Sequence, residues 1–196
     1  MKKNLLFCLG IVLLLTLSTF ENLKGSEPGK AGSFDWPRFR GPNSDGISPE
    51  TNLLKSWPEG GPKELWRVPI GVGYSGIAVS GDQVYTMDSQ KDSEFLVCLD
   101  VANGGELWRT KVAALYKDGQ GDGPRSFPTL DGEVVYALSG NGNLLAANAK
   151  TGKALWKLDV KNKFNFRDPP DWWGFSMSPL IEGNTLLLQA GGSGDR

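Results

Sequence analysis

An eleven-residue phrase occurs twice in this chain, as DVANGGELWRT at 100–110 and as NAKTGKALWKL at 148–158. In both copies a Gly stands four residues ahead of a Trp. The end of the phrase appears once more, as ELWRV around Trp66, so the three tryptophans are spaced by 42 and 48 residues. A second marker recurs beside the first: Gly81 in GDQVY, Gly132 in GEVVY and Gly183 in GNTLL, spaced by 51 and 51 residues. Two markers recurring at similar intervals constrain the fold more than any bulk property. A unit of this length cannot bury its own apolar face and has to stack on its neighbours.

The pattern inside each unit is that of strands. Apolar and polar residues alternate over short runs, and Gly, Asn and Asp interrupt them. The first unit predicts strands over 76–80, 83–88, 94–100 and 106–111. The second predicts 126–130, 133–138, 143–148 and 154–158. The third opens with 176–181 and 185–189, and the sequence ends at Arg196. Four antiparallel strands in about 40–50 residues make one blade of a β-propeller. The expected fold is all-β, a propeller of four-stranded antiparallel blades with about two and a half blades present. Asn103-Gly104 and Thr151-Gly152 fall at the turn between third and fourth strands, where Gly takes φ > 0 without steric cost. Trp108 and Trp156 then lie on the outer strand, and their rings are expected to pack against the next blade. A partial ring exposes strand edges, so the chain is expected to be a fragment of a longer product.

The N-terminus is set apart from the fold. Lys2 and Lys3 precede an apolar run from Leu5 to Phe20, shorter than the roughly 20 residues a membrane-spanning helix needs. It predicts an export signal. The expected organisation is a signal peptide over 1–26, an extended segment over 27–63 and blades over 64–196. The location implied is periplasmic or extracellular, with no membrane span after cleavage. The stretch DWPRFRGP is expected to lie extended over the propeller, anchored by Trp36 and Phe39.

Composition excludes several chemistries. Lys and Arg total 21 against 22 Asp and Glu, so no nucleic-acid partner is expected. There is no His, which removes the commonest general base and transition-metal ligand. Cys98, in the apolar run FLVCL, is the one Cys outside the leader; a buried, inert thiol is expected.

The phrases CLDVANGGELW and AANAKTGKALW resemble the repeat of quinoprotein-type, pyrroloquinoline-quinone-like (PQQ-like) β-propellers, roughly ALDAxTGKxLW. Asn103 stands where that repeat has Thr, and Asn148 where it has Asp. The stretch DWPRFRGPNSDGIS at 35–48, with Trp57-Pro58, Gly61-Pro62 and Leu65-Trp66 after it, is similar to secreted planctomycete-type members. The resemblance covers 64–196 and implies two functions. One is a quinone-dependent alcohol or sugar dehydrogenase, with the quinone at the propeller axis beside a calcium ion and an Asp as base. The adjacent cysteines of such alcohol dehydrogenases are missing here. The acidic stretch DGQGD at 118–122 lacks the length of a calcium loop and is expected to be a flexible connection. The other function is that of the propeller lipoprotein that assists outer-membrane assembly. The expected function is therefore a non-catalytic secreted scaffold that binds envelope proteins or a small ligand at the propeller face. The alternative is a PQQ-dependent dehydrogenase. No catalytic residue, metal or cofactor is expected, the quinone with calcium belonging to the alternative.

Candidate ligand contacts come from blade geometry. The innermost strands are headed by Tyr74-Ser75, Arg125-Ser126 and Phe175-Ser176, so Tyr74 and Arg125 are expected at one mouth of the channel. Trp172 and Trp173 in PPDWWGFS supply rings for stacking on a sugar or planar ligand. An Arg at such a mouth needs an anionic or carbonyl partner.

Overall fold

The computed structural model describes residues 35–164 and 173–189; the leader and Trp172 lie outside the described residues. Two four-stranded antiparallel sheets follow one another along the chain. The first runs in the order β1 (Ala78–Ser80), β2 (Gln83–Gln90), β3 (Ser93–Asp100) and β4 (Glu106–Ala114). The second repeats it with β5 (Thr129–Asp131), β6 (Val134–Leu138), β7 (Asn143–Asn148) and β8 (Ala154–Asp159). A four-residue helix, α1 (Val160–Lys163), leads toward a hairpin of β9 (Leu180–Glu182) and β10 (Thr185–Leu187). These are two complete blades and the first hairpin of a third. Strand β5 lies against both β1 and β9, so the inner strands of the three blades run side by side.

Strands β2 and β3 are buried on both faces, because each sheet is sandwiched between neighbours. The two-residue period of a strand divides their side chains between two cores. Tyr85, Met87, Leu96 and Cys98 face the second blade and meet Val135, Ala137, Leu145 and Ala147 there. Val84, Val97 and Leu99 face the other way, against Trp66 and Val68. Leu138, Leu144, Val160 and Phe175 form a third core toward the third blade. Each large apolar side chain fully buried in these cores contributes about 1.5–3 kcal/mol. Cys98 is fully buried, and burial pushes its thiol up to about 12, so the thiol is neutral and inert as its sequence context predicts.

The repeated phrase folds the same way twice. Asp100 Oδ1 accepts from the amides of Ala102 and Asn103; Asn148 Oδ1 accepts from the amide and hydroxyl of Thr151. The amide of Gly104 then donates to the Asp100 carbonyl and that of Gly152 to the Asn148 carbonyl, both at 2.8 Å. The two glycines have φ of +72° and +71°, a region costly for other residues. A bulge follows in each blade. Trp108 pairs with Cys98, but the next pair is Glu106 with Leu99, leaving Leu107 extra; likewise Trp156 pairs with Ala146 and Ala154 with Ala147. The extra residue bends the strand locally.

The rings tie one blade to the next through this turn. Trp66 Nε1 donates to the Val101 carbonyl at 2.8 Å, and Trp108 Nε1 to the Ala149 carbonyl at 3.0 Å. Each ring lies over the turn glycine: a Cβ placed on Gly104 or Gly152 would come within 2.6 Å of the Trp66 or Trp108 ring.

The inner strands are shorter than the sequence pattern predicts. β5 begins after Pro128 and β9 after Pro179, and a Pro has no amide for the ladder. The third repeat is also shifted by one residue from the expected alignment. Val79, Leu130 and Ile181 occupy equivalent places in β1, β5 and β9, each followed two residues on by a turn glycine with φ of 54–59°. The Arg125 position therefore falls on Ser176 and the Ser126 position on Met177. Phe175 does not head a channel strand but is buried in the core with Leu138 and Leu144.

Candidate functional site at the inner strand edges

The first described residues form a strap along the inner strands. Asp35 anchors it: its carboxylate accepts from the Ser80 hydroxyl at 3.0 Å and the Gly81 amide at 2.8 Å. Trp36 and Val79 exchange two backbone bonds, at 2.9 and 3.0 Å, as an antiparallel bridge on the free edge of β1. The next carbonyl, of Pro37, accepts from the Leu130 amide of β5 at 2.8 Å. Arg38 Nη1 donates to the Ile181 carbonyl of β9 at 3.5 Å. Three equivalent edge positions of three blades are thus contacted by three consecutive residues. A turn at Arg38–Gly41 ends the strap, with Gly41 beneath the Trp36 ring. Phe39 meets Phe127 edge-on at 6.2 Å. The strap is anchored by backbone and by Trp36, whereas Phe39 remains 59% exposed.

Beside the strap lies an open cavity of about 690 Å³, whose lining includes Arg38, Phe39, Arg40, Tyr74, Arg125 and Phe127. Two residues expected at the channel mouth, Tyr74 and Arg125, do line it. Trp173 is exposed and is not among its walls, and Trp172 lies outside the described residues.

Arg125 has partners that the sequence did not reveal. Its guanidinium donates to the carbonyls of Gly123 and Gly121 and to Asp118 Oδ2, each at 2.6 Å, and stacks on Tyr116 at 4.6 Å and Tyr74 at 5.5 Å. The anionic and carbonyl partners it requires are therefore internal. Asp118 in turn accepts from the amides of Gln120 and Gly121. The DGQGD stretch, expected to be flexible, is a tied turn whose acid neutralises the arginine. Burial pushes the Asp118 carboxyl up, but the Gln120 amide, the Tyr116 hydroxyl and Arg125 more than offset this and hold it below the usual carboxylate range.

A depressed carboxyl contributes stability above its unfolded pKa, about 3.9, and loses it as pH falls through the lower folded value. Asp118→Asn is therefore expected to destabilise the chain by a constant amount from pH 7 to about 5. That difference from the parent should shrink below about pH 4, as urea unfolding at pH 7, 5 and 3.5 will measure; a difference independent of pH would contradict the assignment.

Sequence reasoning missed two fully buried acids in the first blade, Asp88 and Glu94. Glu94 bridges the blades: its carboxylate accepts from the Tyr116 amide at 3.1 Å and the Gly140 amide at 3.2 Å. Burial raises its carboxyl, and these amides and Arg125 only partly offset the rise. Asp88 accepts from the Gly71 amide at 2.9 Å and pairs with Arg109. Both acids stand in strands that read as core, and no local motif marks either.

The described residues beside the strap offer no cluster of carboxylates that would hold calcium with a quinone. The edges of the inner strands, where the resemblance implies the axial cofactor, carry the strap. The cavity beside it has three arginines in its lining and no carboxylate. Among the described residues no group of three or more His, Cys, Asp or Glu converges to hold a metal.

Successive four-stranded antiparallel sheets, joined outer strand to next inner strand and packed face to face, define the blades of a β-propeller. The chain belongs to the family described as outer membrane protein assembly factor BamB, whose model matches residues 58–194. It is 29% identical over 103 residues to quinohemoprotein alcohol dehydrogenase ADH IIB of Pseudomonas putida, covering 50% of this chain and 14% of that protein. Among solved structures it is similar to quinohemoprotein alcohol dehydrogenase from Comamonas testosteroni, with a TM-score of 0.54, 16% identity, and coverage of 81% of this chain and 23% of that one. It also matches BamB from Moraxella catarrhalis, with a TM-score of 0.38, 19% identity, and coverage of 56% and 28%. The chain thus spans less than a third of the length of each of these relatives. Among the described residues no helix is long and apolar enough to cross a membrane.

Proposed function

We propose that this chain is part of a non-catalytic propeller scaffold of the cell envelope, exported and working by holding a protein or small ligand at the propeller face. The observation that carries this reading is the strap: the chain's own backbone takes the inner strand edges of two blades, and the Arg38 side chain reaches that of the third. Its family, described by an outer-membrane assembly factor, supports the same reading. So does the internal neutralisation of Arg125, which leaves this largely buried cation of the cavity engaged within its own loop. The rival reading, a PQQ-dependent dehydrogenase, draws on the likeness to the Pseudomonas putida enzyme.

The test adds quinone and calcium to the purified chain, together with an artificial electron acceptor, and surveys primary alcohols and aldose sugars. No turnover above the cofactor blank is expected. Turnover that is saturable in alcohol or sugar and abolished by chelation would replace the scaffold with the enzyme.

A further inference from the structure

We infer that the inner edges of the three blades form a receptor groove for an extended polypeptide strand, and that residues 35–41 are its resident, exchangeable occupant. The partner it fits is an extended segment with the strap's own chemistry: a carboxylate, an aromatic residue, a proline and a cation in succession. This deepens the scaffold reading and rests on it.

The receptor is built by repetition. Val79 offers both its amide and its carbonyl, Leu130 its amide, and Ile181 its carbonyl. These positions are equivalent in the three blades, so one strand passing across them reads the same edge three times. Strand addition to a free edge is a general mode of peptide recognition, in which main-chain bonds give affinity and alternate side chains give selectivity. Selectivity has evident sources here. The hydroxyl of Ser80 and amide of Gly81 take a carboxylate. At the next position but one, Pro suits an edge strand because it has no amide to satisfy. The Phe127 ring accepts an aromatic edge.

Exchange follows from how lightly the strap is held. Its ladder is a single two-bond bridge, one further backbone bond and a long side-chain bond of 3.5 Å. The Nε of Arg38 is buried without a hydrogen-bond partner, so the seat does not complement the strap fully. Residues 47–60, which connect the strap to the blades, are exposed throughout. The strap can therefore leave without unpacking a blade. A short tether holds its segment at an effective concentration of about millimolar, so a free peptide competes only weakly while the connection is intact.

The test places a specific protease site within residues 50–57 of the full chain. The cut and uncut forms are titrated with a fluorescein-labelled peptide of residues 34–46, read by anisotropy. The cut chain is expected to bind the peptide saturably, and the uncut chain about 100-fold more weakly. A peptide N-methylated at the Trp36 amide, which removes the donor to the Val79 carbonyl, is expected to bind at least about tenfold more weakly. Absence of saturable binding to a cut chain with unchanged circular dichroism, or equal binding of the methylated peptide, overturns the groove.

Should cutting unfold the chain, hydrogen exchange on the uncut protein decides. The Val79 and Leu130 amides, covered only by the strap, are expected to exchange at least tenfold faster than the ladder amides of Leu96 and Leu145. Protection of all four to the same degree overturns the proposal. Neither result bears on turnover, so failure of the groove is distinct from failure of the scaffold reading.

Discussion

Arg109→Ala is expected to lower the unfolding free energy by about 3–5 kcal/mol, the range for stranding one member of a buried ion pair. Asp88, which would be left behind, is fully buried in β2. Arg109 reaches it from β4 across the intervening strand, and donates from Nε and Nη2 to Glu106 at 2.9–3.2 Å. Its guanidinium also lies 5.3 Å from the centre of the Phe95 ring. Without it, Asp88 keeps the amide of Gly71 as a partner but no counter-charge. Burial disfavours the guanidinium charge, yet Glu106 and Asp88 overcome that and raise its pKa, so Arg109 keeps its charge in the folded blade. Arg109→Lys should recover only part of the loss, because an ammonium cannot span both acids with a planar fork. Asp88→Asn should cost less than Arg109→Ala, since Glu106 still faces the arginine. Urea denaturation at pH 7 measures all three; a loss below about 1 kcal/mol for Arg109→Ala would show that the pair is not structural.

The second large effect is expected at the contact between blades. Trp108→Ala removes a ring packed on the first core and a bond to the Ala149 carbonyl, and is expected to cost about 3 kcal/mol or more. Trp108→Phe keeps most of the packing and should lose about 1 kcal/mol, the net worth of one hydrogen bond. Gly152→Ala acts from the other side, through a strained φ of +71° and a Cβ 2.6 Å from the ring. The two sites should therefore be coupled: Gly152→Ala should be milder in the Trp108→Ala background, where the ring has gone. Additive losses in that double-mutant cycle would refute the ring-on-turn contact.

Most of the blade architecture was legible in the sequence because it is written in local terms. Gly81, Gly132, Gly104 and Gly152 mark turns that only their neighbours determine, and the strands between them alternate as half-buried strands must. The inner strands were overread because apolar pattern does not report where a ladder can form; Pro128 and Pro179 set that limit. Non-local facts were not legible. Nothing in DGQGD says that Asp118 closes on Arg125 seven residues later. The destination of Asp35–Arg38 was equally hidden. Its partners Val79, Leu130 and Ile181 donate and accept through backbone, which every residue possesses, so no side-chain pattern announces the pairing. Glu94 and Asp88 escaped for the same reason, their partners being amides and an arginine two strands away.

The bond from ring to turn has a direction that its geometry leaves no way to reverse. Trp66 donates to the turn at Val101 and Trp108 to the turn at Ala149, so the donor always precedes its acceptor along the chain. Each blade has a head that receives a ring and a tail that offers one. On the second blade the tail is Trp156, held against Tyr136 at 5.9 Å as Trp108 is held against Tyr85 at 6.0 Å. It is still 44% exposed. As a chain of such units emerges from its N-terminal side, every tail is in place before the head that will cover it. The ring-to-turn bonds thus give the array a polarity, each ring lying N-terminal to the turn it bonds.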